Sequence, residues 1–188
     1  MGYYDSDENG EEYFRMAEGY DGRALIDVLR KYLKNGSTVL ELGMGPGKDL
    51  EPLSEHFRVS GSDNSTVFLD RYRQVNPDAD LVLLDAVTMD IERRFDCIYS
   101  NKVLHHLTRP QLKKSVQQQA RVLNSLGIVL HSFWYGDKVE EFSGLRFVYY
   151  TEDSFGEVIG DEYEIIESER YTEIEEDDSF YIVLRKRP

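Results

Sequence analysis

The sequence contains a single cysteine, Cys97, among its 188 residues. No disulfide can therefore form within the chain, which is typical of proteins in a reducing compartment. No apolar run approaches the roughly 20 residues that a membrane-spanning helix requires. The first residues, MGYYDS, are acidic and lack the apolar segment of a secretory signal peptide. These absences predict a cytoplasmic protein without a membrane segment.

Basic residues are also scarce, because 22 Lys and Arg stand against 36 Asp and Glu, giving a formal net charge of -14. The only basic clusters are short ones at Arg93-Arg94 and Arg185-Lys186-Arg187. A charge of this sign repels a phosphate backbone and disfavours nucleic acid as a partner. The four histidines and one cysteine do not have the spacing of a metal site, so no metal is expected.

What remains is a composition suited to one folded domain, with 40% hydrophobic and 12% aromatic residues. We predict a single domain over residues 1–188. The first 20 residues are acidic and rich in tyrosine and phenylalanine, and they are either a frayed tail or a flap over a ligand pocket. The sequence leaves both interpretations open.

Apolar runs alternate with amphipathic segments along the chain, a pattern typical of parallel strands connected by helices. The predicted strands are 38–42, 57–62, 81–84, 95–101, 127–133, 163–171 and 179–185. The third of these is expected to be buried on both faces. Only a short acidic loop, 173–178, separates the last two strands, so they must form an antiparallel hairpin. The predicted fold is α/β and doubly wound, with a seven-stranded, mostly parallel sheet and helices on both faces.

The first predicted strand ends in a glycine loop, Gly43-Met44-Gly45-Pro46-Gly47, and a helix is predicted after it. Glycine permits a tight turn and lets a ligand lie against the backbone. Strand, glycine turn and helix together form a corner of the kind that binds nucleotides. Because the third glycine follows the second by two positions, the spacing differs from the G-x-G-x-x-G of dinucleotide sites and weakens a nicotinamide-dependent oxidoreductase as an interpretation.

Several motifs in register then resemble one family. The glycine loop, with Glu41 two residues before it, resembles motif I of the class I S-adenosylmethionine-dependent methyltransferases. Asp63 and Asp85 end the second and third strands, where that family places acids. Residues 95–107 resemble its fourth-strand motif, and the C-terminal hairpin is similar to its reversed last strand. The resemblance covers about residues 25–188 and is nearest to small, type 11-like members.

The resemblance implies S-adenosylmethionine as cofactor and S-adenosylhomocysteine as product. It implies that Glu41 orients the cofactor ammonium, directly or through water, and that Asp63 accepts the ribose hydroxyls. Asp85 would accept the adenine amine, the Ala86 N–H would donate to a ring nitrogen, and Asn101 would line the donor end. The cofactor-binding residues implied in this way are Glu41, Gly43, Met44, Gly45, Asp63, Asn64, Asp85, Ala86 and Asn101.

Methyl transfer needs a general base only when the acceptor must lose a proton. His105 and His106 follow the fourth strand and are the candidates, although a structural role at a helix start explains a histidine there equally well. The segment Ser100-Asn101-Lys102-Val103 is not the Asn/Asp-Pro-Pro-Tyr motif of many N-methyltransferases.

Only the aromatic-rich segments 1–20 and roughly 134–150 are free to shape an acceptor pocket, because no substrate domain is added. Packing of a hairpin and a sheet edge is the other interpretation of their aromatic residues. We therefore expect a small-molecule acceptor. Two alternatives remain open, namely a non-catalytic S-adenosylmethionine-binding regulatory module and methylation of a basic protein partner. The sequence predicts no oligomeric state.

Overall fold

The computed structural model describes residues 21–188, so the predicted flap or tail at 1–20 lies outside the described residues. The strands are β1 (Thr38–Leu42), β2 (Arg58–Asp63), β3 (Leu81–Leu83), β4 (Phe95–Asn101), β5 (Leu123–Trp134), β6 (Val139–Phe142), β7 (Leu145–Val148), β8 (Tyr163–Tyr171) and β9 (Ser179–Lys186). The helices are α1 (Arg23–Arg30), α2 (Leu50–Ser54), α3 (Thr66–Val75), α4 (Arg109–Val122) and α5 (Glu152–Gly156), with a 3-10 turn at Leu104–His106.

Seven of these strands form one sheet in the order β3-β2-β1-β4-β5-β9-β8. The first five strands pair in parallel, and β9 is antiparallel to both β5 and β8. This arrangement confirms the predicted mostly parallel sheet with a C-terminal hairpin. Because β1 to β5 run in one direction, their C-terminal ends meet at the same edge of the sheet, which is where open α/β sheets bind ligands.

Alternate side chains of the central strands enter two different cores. Leu40 of β1 and Ile98 of β4 pack on one face with residues of α4 and α5. Val39, Cys97 and Tyr99 pack on the other face with residues of α1. This two-residue alternation, with apolar residues on both sides, is what a central parallel strand covered by helices requires. Within residues 21–188 no helix is both long and apolar enough to cross a membrane.

Some boundaries differ from those expected. The prediction that the third strand is buried on both faces is wrong, because β3 is an edge strand that pairs only with β2 and leaves Leu83 60% exposed. The helix predicted after the glycine loop is short, with α2 ending at Ser54, and β2 begins at Arg58 rather than at residue 57. Strand β5 begins at Leu123, where α4 ends. The separate β6–β7 hairpin was not predicted.

Helix α4 begins with a capping box. The Thr108 hydroxyl accepts a hydrogen bond from the Gln111 backbone N–H, and the Gln111 side chain accepts one from the Thr108 backbone N–H. These bonds satisfy donors that have no partner inside the helix. Pro110 lies in the first turn, where the N–H that proline lacks would have no partner inside the helix.

One carboxylate connects the start of the chain to the C-terminal hairpin. Glu167 of β8 accepts hydrogen bonds from the hydroxyls of Tyr32 and Tyr181 and pairs with Lys31 at 2.9 Å. Burial opposes ionisation, but the bonds from Tyr181, Tyr32 and Lys31 outweigh it and lower the pKa of Glu167 to about 2. The ionised carboxylate therefore holds the C-terminal end of α1 against the sheet.

Replacing Glu167 with glutamine should lower the free energy of unfolding at neutral pH by about 2 kcal/mol, the scale of hydrogen bonds to a charged group. The folded pKa lies below the unfolded value of about 4.3. The stabilisation is therefore complete above that pH and disappears as the pH falls towards 2. Denaturant unfolding across this range measures it. Glu164→Gln, which removes an exposed ion pair with Arg185, is the matched control and should change little.

Candidate active site

The glycine loop after β1 has the backbone conformation that only glycine adopts readily. Gly43, Gly45 and Gly47 all have positive φ, at +67°, +48° and +79°. Space is also limited, since a Cβ on Gly43 would lie 2.3 Å from a methyl carbon of Val103, and one on Gly47 would lie 2.3 Å from the ring of Tyr72. Both the turn and the close packing therefore require the glycines that the sequence shows.

Asp63 holds this loop against the end of β2. Its carboxylate accepts hydrogen bonds from the backbone N–H groups of Gly45 and Ser65, each at 2.9 Å, and the residue is buried. The Met44 side chain is buried below the loop, while Asn64 is exposed beside it. A carboxylate has roughly four acceptor positions, so it can fix the loop and accept hydroxyl groups together.

Glu41 and Asp49 bring two more carboxylates to the same place. Each residue is 4% exposed, and Glu41 Oε2 and Asp49 Oδ1 have no hydrogen-bond partner within the described part of the chain. The other oxygen of Asp49 accepts from the Tyr99 hydroxyl at 2.8 Å and the Asn101 amide at 3.2 Å. Asp49 was not predicted as a site residue, although it lies only two residues after Gly47 in the sequence.

The electrostatics of this acid cluster, which we define as Glu41, Asp49 and Asp63, favour a positively charged ligand. Burial raises the pKa of Glu41 well above its usual range, and the charges of Asp49 and Asp63 raise it further. Burial also raises the pKa of Asp49, despite the hydrogen bonds from Tyr99 and Asn101. A buried carboxylate without a counter-charge is costly, and no ion pair within residues 21–188 includes Glu41 or Asp49.

The Asp85-Ala86 turn lies at the neighbouring strand end. The Asp85 carboxylate accepts the Val87 N–H at 2.6 Å, and the Ala86 carbonyl accepts the hydroxyl of Ser115 from α4 at 2.6 Å. Asp85 is exposed, and a backbone bond from Leu84 to the carbonyl of Asp63 connects this turn to β2. The structure therefore places the two acids predicted for ribose and adenine on adjacent strands.

At the end of β4, Asn101 connects the acid cluster to β5. Its amide donates to Asp49, and its oxygen accepts the Ser132 hydroxyl at 2.5 Å. The next residue, Lys102, has a positive φ of +54°, and its ammonium lies 2.8 Å from Glu173 and 3.3 Å from the centre of the Trp134 ring. Burial lowers the pKa of Lys102, against the opposing effect of Glu173. These contacts enclose the side of the site next to Asn101.

The two candidate catalytic histidines have different surroundings. His105 is 2% exposed, stacks on Phe147 of β7, and neither ring nitrogen has a hydrogen-bond partner among residues 21–188. His106 is less buried, and its Nδ1 lies 2.7 Å from the Arg146 carbonyl. A carbonyl only accepts, so Nδ1 must carry the proton and Nε2 the lone pair. Burial lowers the pKa of both rings, so both are neutral at neutral pH.

Known proteins are similar to this chain in sequence and in fold. Residues 39–127 match the family model described as a methyltransferase domain. This stretch contains the glycine loop, Asp63, Asp85, Asn101 and both histidines. The match covers slightly less than half of the chain, and together with the fold it indicates an S-adenosylmethionine-dependent methyltransferase similar to small class I members. Among curated proteins, none matches the chain.

Solved structures share the fold at low sequence identity. The 1,6-didemethyltoxoflavin-N1-methyltransferase of Burkholderia thailandensis, solved with S-adenosylhomocysteine, has a TM-score of 0.77 at 20% identity, covering 88% of this chain and 78% of its own. The sugar N-methyltransferase KedS8 of Streptoalloteichus also has a TM-score of 0.77, at 16% identity and 95% and 93% coverage. The N-methyltransferase NodS of Bradyrhizobium japonicum, solved with S-adenosylhomocysteine, has a TM-score of 0.71 at 16% identity, with 92% and 91% coverage.

Substituting alanine for Gly43 should lower the free energy of unfolding by about 3 kcal/mol, combining a strained positive φ with overpacking against Val103. Gly36 is the matched control, because its φ is +80° but nothing lies within 4 Å of the added Cβ. Gly36→Ala should lower the free energy of unfolding only by the contribution from the positive φ, about 1 kcal/mol. Denaturant unfolding of both variants measures the difference, and equal losses would contradict the steric part of this explanation.

Proposed function

We propose that the protein transfers a methyl group from S-adenosylmethionine to a small-molecule acceptor in the cytoplasm. The observation that carries the cofactor placement is the acid cluster, in which buried oxygens of Glu41 and Asp49 have no hydrogen-bond partner among residues 21–188. S-adenosylmethionine has a positive sulfonium and a positive ammonium at its methionine end. A ligand with these charges supplies what the two buried acids lack.

The roles we propose follow the edge of the sheet. Glu41 and Asp49 would hold the methionine end, Asp63 the ribose, and Asp85 with the Ala86 N–H the adenine. The glycine loop would support the methionine part on its backbone, and Asn101 would orient the donor end through its bond to Asp49. The proposed cofactor-binding residues are therefore Glu41, Gly43, Met44, Gly45, Asp49, Asp63, Asn64, Asp85, Ala86 and Asn101.

The cofactor supplies an already activated methyl group when it is bound. The tasks left to the chain are to align the acceptor with that group and to exclude water from the reacting atoms. Asn101 is tied to Asp49 and Ser132 at once, so its position is fixed before any acceptor arrives. This preorganisation would help to align the acceptor with the methyl group.

A small-molecule acceptor is supported by two structural neighbours, which are named as methyltransferases of 1,6-didemethyltoxoflavin and of a sugar. The chain itself contributes aromatic side chains near the acceptor side. Trp134 is half-buried under Lys102, and Phe147 is half-buried against both histidines. Tyr150, by contrast, is fully buried in the main core and serves packing.

We propose His106, rather than His105, as the general base for an acceptor that must lose a proton. The Arg146 carbonyl fixes its Nδ1–H and leaves Nε2 as the acceptor, which is the arrangement a base requires. His105 is almost entirely buried against Phe147, so a structural role explains it better.

The cofactor placement predicts that Asp63→Ala weakens binding of S-adenosylhomocysteine by about a hundredfold, since two charge-assisted bonds to the ribose would be lost. Isothermal calorimetry measures the dissociation constant, and circular dichroism checks that the fold persists, because Asp63 also holds Gly45 and Ser65. Asp70→Ala, which removes an exposed acid of α3, is the control and should bind normally. Unchanged binding by Asp63→Ala would show that the ribose lies elsewhere.

The catalytic assignment predicts that His106→Gln lowers kcat by about a hundredfold while the affinity for S-adenosylhomocysteine stays unchanged. Transfer of labelled methyl to a panel of small amines, phenols and carboxylic acids measures turnover. His56→Gln, a histidine between α2 and β2, should behave as wild type. Full activity of His106→Gln would exclude His106 as the base.

The same assays distinguish the alternative functions. Cofactor binding without turnover on small molecules would favour a regulatory module, and labelling of basic proteins would favour a protein acceptor.

A further inference from the structure

A buried chain of hydrogen bonds runs through the core to the predicted adenine turn. The Ser100 hydroxyl lies 2.8 Å from His131 Nδ1, and His131 Nε2 lies 2.9 Å from Gln119 Oε1. The Gln119 amide donates to the Ser115 hydroxyl at 3.1 Å, and Ser115 donates to the Ala86 carbonyl at 2.6 Å. All four side chains are 0% exposed. The chain thus connects β4, β5 and α4 to the loop after β3.

The donor and the acceptor of every hydrogen bond in this series can be assigned by starting from the bond to the Ala86 carbonyl. A carbonyl can only accept, so the Ser115 hydroxyl donates its proton there and must accept from the Gln119 amide. The Gln119 oxygen then faces His131, which makes Nε2 the protonated nitrogen and Nδ1 the acceptor for Ser100. Burial lowers the pKa of His131 to about 3, so the ring stays neutral and the direction stays fixed at neutral pH.

The peptide unit between Ala86 and Val87 is held at both ends. Its carbonyl accepts from Ser115 at 2.6 Å, and its N–H donates to the Asp85 carboxylate at 2.6 Å. Rotation of this peptide plane would break both bonds. Because Ser115 is fixed by Gln119 inside the core, the orientation of an exposed carboxylate is set by a buried network.

We propose that Ser115 is a positioning residue for cofactor selectivity, which acts through the Ala86-Val87 peptide to aim the Asp85 carboxylate at the adenine amine. The inference rests on the proposed cofactor placement, in which Asp85 accepts that amine. It assigns a function to a buried polar chain that packing alone does not require. The consequence of this positioning is selectivity for adenine over bases that carry an oxygen acceptor in place of the adenine amine.

The test compares binding of S-adenosylhomocysteine with binding of its inosine analogue, which has an oxygen in place of the amine. Ser115→Ala should weaken S-adenosylhomocysteine binding by about tenfold and leave the analogue within about twofold, so that selectivity falls. Ser115→Cys, which keeps the volume and donates weakly, should give an intermediate loss. Calorimetry on the full chain measures all the constants.

Thr108→Ala is the matched control, because it weakens the cap of the same helix without touching Ser115. It should lower the melting temperature and leave selectivity unchanged. The double variant of Ser115→Ala with Asp85→Ala should be no less selective than Asp85→Ala alone, since one residue acts through the other. Equal weakening of both ligands by Ser115→Ala, or additive losses in the double variant, would overturn the proposal. Failure of the wild type to bind S-adenosylhomocysteine would instead refute the proposed function.

Discussion

The parallel pairing of β1 with β2 and β4 is the constraint on which the site depends. Its register sets Glu41 beside Gly61 on one side and Tyr99 on the other. Two residues further along, the strands end at the glycine loop, at Asp63 and at Asn101. Acids that are distant in sequence are therefore brought together by backbone hydrogen bonds that do not depend on their charge, and the sheet can hold the mutually repelling acid cluster in place.

The sequence predicted those parts of the molecule that repeat a local pattern. The parallel strands, the C-terminal hairpin and the acids at strand ends could be predicted because apolar runs, glycines and acids recur in register along the chain. The exposed edge of β3 could not be predicted, because the apolar sequence LVL is typical of a buried strand. Leu83 is exposed because β3 pairs with a strand on one side only. The β6–β7 hairpin was missed because Val139 and Phe142 are exposed and leave no buried pattern.

Asp49 and Ser115 were missed for a different reason. Their importance comes from tertiary partners, Tyr99 and Asn101 for the former and the Ala86 carbonyl for the latter, and no local spacing reports such contacts. An acid in the first turn of a helix and a serine in the middle of one both have ordinary local explanations. Two observations distinguish them from those explanations: one Asp49 oxygen has no hydrogen-bond partner in the described part of the chain, and Ser115 is completely buried.

The two ends of the proposed cofactor site therefore depend on different physics. At the methionine end, burial raises the pKa values of Glu41 and Asp49, so the fold opposes the ionisation of these two carboxyl groups. A cationic ligand relieves that opposition, and because it binds only the folded chain it also stabilises the fold. At the adenine end, the bonds of Ser115 and Asp85 are already made before any ligand arrives. Charge thus contributes affinity at one end, and a fixed peptide contributes selectivity at the other.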